Sequence, residues 1–254
     1  MAIWDPAQYL KFDDHRLRPA LDLLARIPIA EARQIWDLGC GTGNVTALLA
    51  EKWPGARVTG LDSSPAMLAK ARANAAIAWV DGDVTTWTAP SPVDLVFTNA
   101  VLHWVPDHAR LLPRLLDQVR KGGVLAVQMP RQFDAPSHTL LDETALAGPW
   151  AERLKPLLGS AAVATPADYW RWLRPLAASL DVWEAEYLHV LSGDNAVVEW
   201  TKGTTARPLL DALDPAEKDE FLAAYGRRIA GAYPPEPDGR TLFPFRRLFI
   251  VALR

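Results

Sequence analysis

Ile35-Trp36-Asp37-Leu38-Gly39-Cys40-Gly41-Thr42-Gly43 decides how this chain is read. A short apolar run, Arg33–Leu38, reads as a strand, and Val45–Lys52 beyond the turn reads as a helix. Glycines between the two let the backbone turn sharply and approach a ligand closely. They fall at 39, 41 and 43. That spacing is tighter than the G-x-G-x-x-G of dinucleotide binders. A glycine-rich connection with no ligand is the plain alternative.

Outward from this turn, apolar runs alternate with helical patterns, the signature of a parallel sheet with crossovers. Upstream, Leu17, Leu21 and Leu24 share one face of a helix predicted over Arg18–Ile27. Downstream, strands are predicted at Arg57–Leu61, Ala78–Val80, Val93–Thr98 and Val124–Met129. Ser64-Pro65 opens a helix with a capping residue followed by proline. A helix over Asp107–Arg120 is predicted to stop at Lys121-Gly122-Gly123. After Pro130 the alternation ends. Arg131–Leu180 reads as helices, among them Thr165–Leu180, and a strand follows at Val182–Leu191. Asp214-Pro215-Ala216-Glu217 then has the form of a capping box, Tyr233–Asp238 reads as a proline-rich turn, and Phe245–Leu253 is strongly β-like.

The expected fold is therefore α/β and Rossmann-like. It has a mostly parallel seven-stranded sheet, an antiparallel C-terminal strand pair and a helical cap over the carboxyl ends of the strands, where ligands of open sheets bind. Residues 1–130 are expected to form the core with an N-terminal lid segment. Residues 131–254 supply the cap insertions and the last two strands of the same integrated domain.

Bulk properties narrow the partners. The 254 residues are 50% hydrophobic and 22% charged, with a net charge of −3. No basic field invites nucleic acid, although a few pocket arginines are compatible with a small anion. The single cysteine, Cys40, excludes an intrachain disulfide. No apolar run approaches the length needed to span a bilayer, and Met1-Ala2-Ile3-Trp4-Asp5 does not read as a signal peptide. A cytoplasmic monomer without membrane partners is expected. No metal is expected either: the five histidines are scattered and neither H-E-x-x-H nor a G-x-S-x-G elbow is present.

The tight glycine spacing after Asp37-Leu38 resembles the first motif of the class I methyltransferases, which use S-adenosyl-L-methionine and release S-adenosyl-L-homocysteine. More specific segments extend the likeness over nearly the whole chain. They are Trp4-Asp5-Pro6 with Tyr9, Phe12, Arg16, Arg18 and Pro19; Asp62-Ser63-Ser64-Pro65-Ala66-Met67; Leu125-Ala126-Val127-Gln128-Met129-Pro130; Arg207-Pro208; and Arg247-Leu248-Phe249-Ile250-Val251-Ala252. In these the chain resembles the bacterial trans-aconitate methyltransferases. The resemblance implies transfer of a methyl group to one carboxylate of trans-aconitate, giving a monomethyl ester. His103 departs from it, standing where a neutral amide is expected.

The resemblance assigns Asp37, Gly39, Gly41, Gly43, Asp62, Ser63, Asp83, Val84 and Asn99 to the cofactor. Asp62, at the end of the second strand, suits the ribose hydroxyls; its alternative is to cap the next helix, which Ser64 already does. Asp83 suits the adenine amino group, and Asp81 or a plain turn role remains open. The Asn99 backbone would accept from the methionine ammonium. His103 and Trp104 would face the acceptor, and half-buried packing is the alternative.

An ionised carboxylate needs no general base, so no catalytic proton acceptor is expected. The acid calls for arginine forks. Arg18, Arg207 and Arg247 are the candidates, with Tyr9, His103 and Tyr169 behind them. Arg18 has an ion pair with Asp22 as its alternative, Arg207 a helix-end role, and Arg247 an exposed strand face. Competing readings are a methyltransferase for another small acceptor, a nicotinamide-dependent oxidoreductase, and a non-catalytic S-adenosylmethionine-binding regulator.

Overall fold

The computed structural model describes residues 17–159 and 163–254. Seven strands form one sheet in the order β3-β2-β1-β4-β5-β7-β6. They are β1 (Gln34–Leu38), β2 (Arg57–Asp62), β3 (Ala78–Asp81), β4 (Val93–Asn99), β5 (Val119–Pro130), β6 (Ser179–Leu191) and β7 (Thr241–Leu253). The first five are parallel, and β7 runs antiparallel to β5. Strand β4 is buried at every position except its last, as a central strand covered on both faces must be.

The described chain divides into two compact units. The first comprises the chain to Pro130, the stretch 163–185 and Arg247–Arg254. It holds helices α1 (Arg18–Ala25), α2 (Asn44–Lys52), α3 (Pro65–Ala71), α4 (His108–Leu116) and α7 (Pro166–Leu173). The second lies between Arg131 and Arg246. Its helices are α5 (Pro136–Ala147), α6 (Ala151–Leu154), α8 (Ala196–Lys202), α9 (Arg207–Asp211) and α10 (Pro215–Ala232). They close on a core of their own around Leu141, Trp150, Phe221, Tyr225 and Phe243. Asp214 and Glu217 form the expected capping box at the start of α10.

Among the boundaries that differ from the sequence reading, two have a clear physical cause. Helix α4 ends at Leu116, and Lys121-Gly122-Gly123 lies inside β5 rather than closing the helix. Tertiary pairing overrides local propensity here. Val119 pairs with Val93, and the register then shifts before Val124 meets Leu95. The glycines serve that irregularity: Gly122 has φ +76°, and a Cβ on Gly123 would lie 2.7 Å from the Asp94 carbonyl oxygen. Helix α7 stops at Leu173 and not near Leu180. Pro175 lacks an N–H, so the next helical hydrogen bond, to the Arg171 carbonyl, cannot form, and Ser179 already begins β6.

Asp94 ties the amino ends of the central strands together. Its Oδ2 accepts from the backbone N–H of Arg33 and Gln34 at 2.9 and 2.8 Å, and its Oδ1 pairs with Arg120. Burial alone would raise this carboxyl. The Arg120 guanidinium and the two N–H groups outweigh burial and hold it below the usual range. Asp94→Ala is expected to cost about 2–4 kcal/mol in urea denaturation at pH 7. Most of that loss comes from the backbone bonds, because the half-exposed Arg120 is screened by water. A folded pKa below the unfolded value means the contribution is present above about pH 4 and lost as pH falls through the folded value. Asp94→Asn should therefore flatten the acid limb of the stability profile, and an unchanged limb would count against this role.

Candidate functional site

The glycine turn is held by backbone geometry that other residues resist. Gly39, Gly41 and Gly43 have φ of +76°, +56° and +83°. A Cβ on Gly39 would strike Val101 at 2.2 Å, and one on Gly43 would strike Trp79 at 2.4 Å. Gly41 has nothing within 4 Å of that position among the described residues beyond its chain neighbours. It borders a cavity of about 550 Å³.

Strand β2 fixes this turn from the side. The N–H groups of Gly39 and Cys40 both donate to the Leu61 carbonyl, at 2.7 and 3.0 Å. Asp62 completes the junction: Oδ2 accepts from Gly41 N–H and Oδ1 from Ser64 N–H, each at 2.8 Å. Ser64 caps α3, its hydroxyl accepting from Met67 N–H. The Asp62 carboxylate is thus oriented by two backbone donors while it lines the cavity. Each carboxylate oxygen has a second lone pair available.

Of the residues expected at the cofactor, Gly39, Gly41, Asp62, Ser63, Asp83 and Val84 converge on this one cavity. Asp83 lines it and Asp81 does not. Asp83 also makes a local turn, accepting from the N–H and hydroxyl of Thr85, both at 2.7 Å, which hold its carboxyl below the usual range. Three expected residues stand outside the lining. Gly43 precedes α2 as its N-cap. Asn99 ends β4, half-buried. Asp37 is buried, accepts from the Thr46 hydroxyl at 2.6 Å and so ties β1 to the first turn of α2. Burial pushes its carboxyl up to about 7 against the opposing effect of Thr46.

The cavity has walls the sequence reading did not assign. Met67, Val101 and Val105 supply apolar surface, and Trp104 stands 62% exposed at the same cavity. Apolar side chains at 67, 101 and 105 have no signature distinguishing them from ordinary core. An oriented carboxylate, a glycine with open space before it and apolar flanks fit a nucleoside-bearing ligand of S-adenosylmethionine's size.

Of the residues expected at the acceptor, Arg207 belongs to the second unit and Arg18, His103, Tyr169 and Arg247 to the first. Tyr9 lies outside the described residues. Arg18 is exposed on α1, 4.0 Å from Asp22 one turn on. Arg207, in the first turn of α9, is exposed and 3.8 Å from Asp211. Arg247 is 5% exposed, so its strand face is not open to water. His103 lies in a single 3-10 turn with its ring 4.6 Å from Trp104. Tyr169 departs from the expectation. It is fully buried, and its hydroxyl is engaged by His108 Nδ1 at 2.6 Å and by Ala164 N–H at 3.1 Å. His108 Nε2 meets the Leu102 carbonyl at 2.7 Å, so that nitrogen carries the proton and Tyr169 donates to Nδ1. Burial keeps this imidazole below its ordinary pKa and neutral. The pair fastens α4 to α7 and has no free donor for a ligand.

Residues 35–123 match the model of the methyltransferase domain family. The chain is 52% identical over 255 aligned residues to a trans-aconitate 2-methyltransferase of Azoarcus sp. strain BH72, covering all of both proteins. Among solved structures, it superposes on the YcgJ protein of Bacillus subtilis with a TM-score of 0.59 at 15% identity, covering 94% of this chain and 99% of that one. Phosphoethanolamine N-methyltransferase 2 of Haemonchus contortus, solved with S-adenosyl-L-methionine, gives a TM-score of 0.54 at 15% identity over 92% of this chain and 52% of that one. With its glycine turn and β2 carboxylate at the carboxyl end of a seven-stranded sheet, and this identity along its whole length, the chain belongs to the trans-aconitate 2-methyltransferase family of S-adenosylmethionine-dependent methyltransferases.

Proposed function

We propose that this protein transfers a methyl group from S-adenosylmethionine to one carboxylate of trans-aconitate, releasing the monomethyl ester and S-adenosylhomocysteine. The observation that carries the reading is the 52% identity to a relative of that name over the entire chain. Beside it stands a cavity whose glycine and carboxylate suit the nucleoside. No helix among the described residues is long and apolar enough to cross a membrane. With Cys40 as its only cysteine, the protein needs no oxidising compartment, and it is assigned to the cytoplasm as a monomer.

When bound, S-adenosylmethionine supplies a methyl group on a sulfonium, which a carboxylate oxygen takes in line as the carbon–sulfur bond breaks. Asp62 receives the ribose hydroxyls on the lone pairs its backbone donors leave. Asp83 and Val84 take the adenine edge and face, and the Asn99 carbonyl takes the methionine ammonium. Asp37 and Gly43 act from behind, through α2. A carboxylate is ionised at neutral pH, so no residue has to remove a proton. What the protein provides is position, with the oxygen held about 3 Å from the methyl carbon. Cation and anion yield neutral products, and a dry site favours that step by withholding water from the separated charges.

Arg247 is the principal clamp for a carboxylate that is not methylated. Its guanidinium is already withdrawn from water, so removing it costs more than removing a rim charge. Arg18 and Arg207 contribute less in the geometry seen, since each is exposed beside a carboxylate.

The deciding experiment offers purified protein labelled S-adenosylmethionine and a set of di- and tricarboxylic acids, with mass-spectrometric identification of the ester. A monomethyl ester of trans-aconitate is expected as the preferred product. Ester formation only on acids lacking its carboxylate arrangement, or none at all, would sink the proposal. Arg247→Ala is expected to lower kcat/KM by about 2–5 kcal/mol, with Lys restoring only part because a point charge lacks the fork. Arg18→Ala and Arg207→Ala should lose less, and equal losses for all three would contradict this ranking.

Asp62→Ala tests the cofactor half. Calorimetry should show S-adenosylmethionine binding weakened by about 1–3 kcal/mol. Unchanged affinity would remove Asp62 from the site.

A further inference from the structure

Gln128 lies in β5 two residues before its end and is 0% exposed, yet neither its Oε1 nor its Nε2 has a hydrogen-bond partner among the described residues. A buried amide left in this state destabilises the fold. Its backbone needs no such side chain, since the Gln128 carbonyl already accepts from Ala100 N–H at 2.9 Å. A leucine would fill the same volume without that cost. The amide therefore calls for a ligand that is not part of the protein.

The register shows what surrounds it. Asn99 on β4 and Phe249 on β7 pair directly with Gln128, so their side chains share its face of the sheet. Asn99 Oδ1 is likewise buried without a partner. It is held at the strand end by Ala100, whose φ of +57° is rare for a residue with a side chain. Arg247 pairs with Pro130 and falls on the same face, diagonal to Gln128 and within reach for a long side chain. Two amides and one guanidinium thus gather over β4, β5 and β7. None of the three lines the cavity flanked by Gly39, Asp62 and Asp83, although Ala100 and Val101, which directly follow Asn99, do.

We infer that Gln128 binds the acceptor acid, its Nε2 donating to the carboxylate that receives the methyl group. The inference rests on the acid-methylating reading above. That reading makes the ligand an anion, and Arg247 places a cationic side chain on the same face of the sheet. A guanidinium on the reacting carboxylate would neutralise it and blunt its attack. A neutral amide orients one oxygen and leaves its charge in place, while Arg247 takes a carboxylate that does not react. The attacking oxygen then forms its bond to the methyl carbon as the electron pair of the carbon–sulfur bond returns to sulfur, and no proton moves.

The test uses the full-length protein with Gln128→Leu and Gln128→Glu. Gln128→Leu should melt no lower than wild type, because it removes an unpartnered buried amide. It should bind S-adenosylmethionine with wild-type affinity by calorimetry. Its kcat/KM for trans-aconitate should fall about tenfold to a hundredfold, mostly in kcat, since Arg247 still holds the acid. Gln128→Glu should fall further, carboxylate facing carboxylate, and regain activity as pH is lowered and the new side chain is protonated. Wild-type kcat/KM in Gln128→Leu overturns the inference, as does lost cofactor affinity with normal acid kinetics, or a collapse of melting temperature that marks Gln128 as structural. If wild-type enzyme methylates no carboxylic acid, the functional reading fails first; if it does and Gln128→Leu is unaffected, only this inference fails.

Discussion

The carboxylate of Asp62 is the junction on which the site depends. It takes the Gly41 N–H on one oxygen and the Ser64 N–H on the other, each at 2.8 Å. One side chain thereby links the turn after β1 to the start of α3, across the end of β2. Leu61 adds two backbone bonds to the same turn. A loop of left-handed glycines would otherwise sample many shapes, and its ordering has an entropic cost that the three bonds from Gly39, Cys40 and Gly41 offset. The result is a pre-formed surface of backbone and fixed carboxylate bordering the cavity.

Polar groups inside this protein fall into two kinds. Some are satisfied within the fold: Asp37 by Thr46, Asp94 by two N–H groups and Arg120, Tyr169 by His108 and Ala164. These tie strands to helices and strands to strands. Others have no partner among the described residues, and two of these, Gln128 and the Asn99 Oδ1, lie together at the carboxyl ends of β4 and β5. Native interiors rarely carry such groups without a reason. Their placement at the ligand-binding edge of an open sheet gives the reason a direction.

Much of this was legible in the chain because the periodicities are strong. Val93–Thr98 could hardly be anything but a buried strand, and Ser64-Pro65 and Asp214–Glu217 carry capping chemistry that local sequence expresses fully. Gly39, Gly41, Asp62, Ser63, Asp83 and Val84, named from the sequence, line one cavity because glycine spacing and strand-end carboxylates are backbone-level constraints. What failed had non-local causes. Lys121-Gly122-Gly123 looks like a helix stop, and only the pairing of Val119 with Val93 and of Arg120 with Asp94 turns it into strand. Tyr169 looks like a ligand hydroxyl until His108, sixty-one residues away, engages it. Arginines read least well. Arg18, Arg207 and Arg247 are alike as letters, and burial alone separates the last from the other two. Gln128 lies in a family-like segment, but no local pattern reveals that its amide lacks a partner.

We propose that methyl transfer proceeds by positioning an already ionised carboxylate, with no proton in flight. A single-turnover measurement of ester formation in H2O and in D2O tests it most directly, with cofactor and trans-aconitate both saturating so that binding does not contribute. Equal rates in the two solvents are predicted, because no exchangeable hydrogen changes its bonding in the transition state. A substantial normal isotope effect, with a linear dependence on the deuterium fraction, would mean that a proton is transferred in that step and would contradict the account.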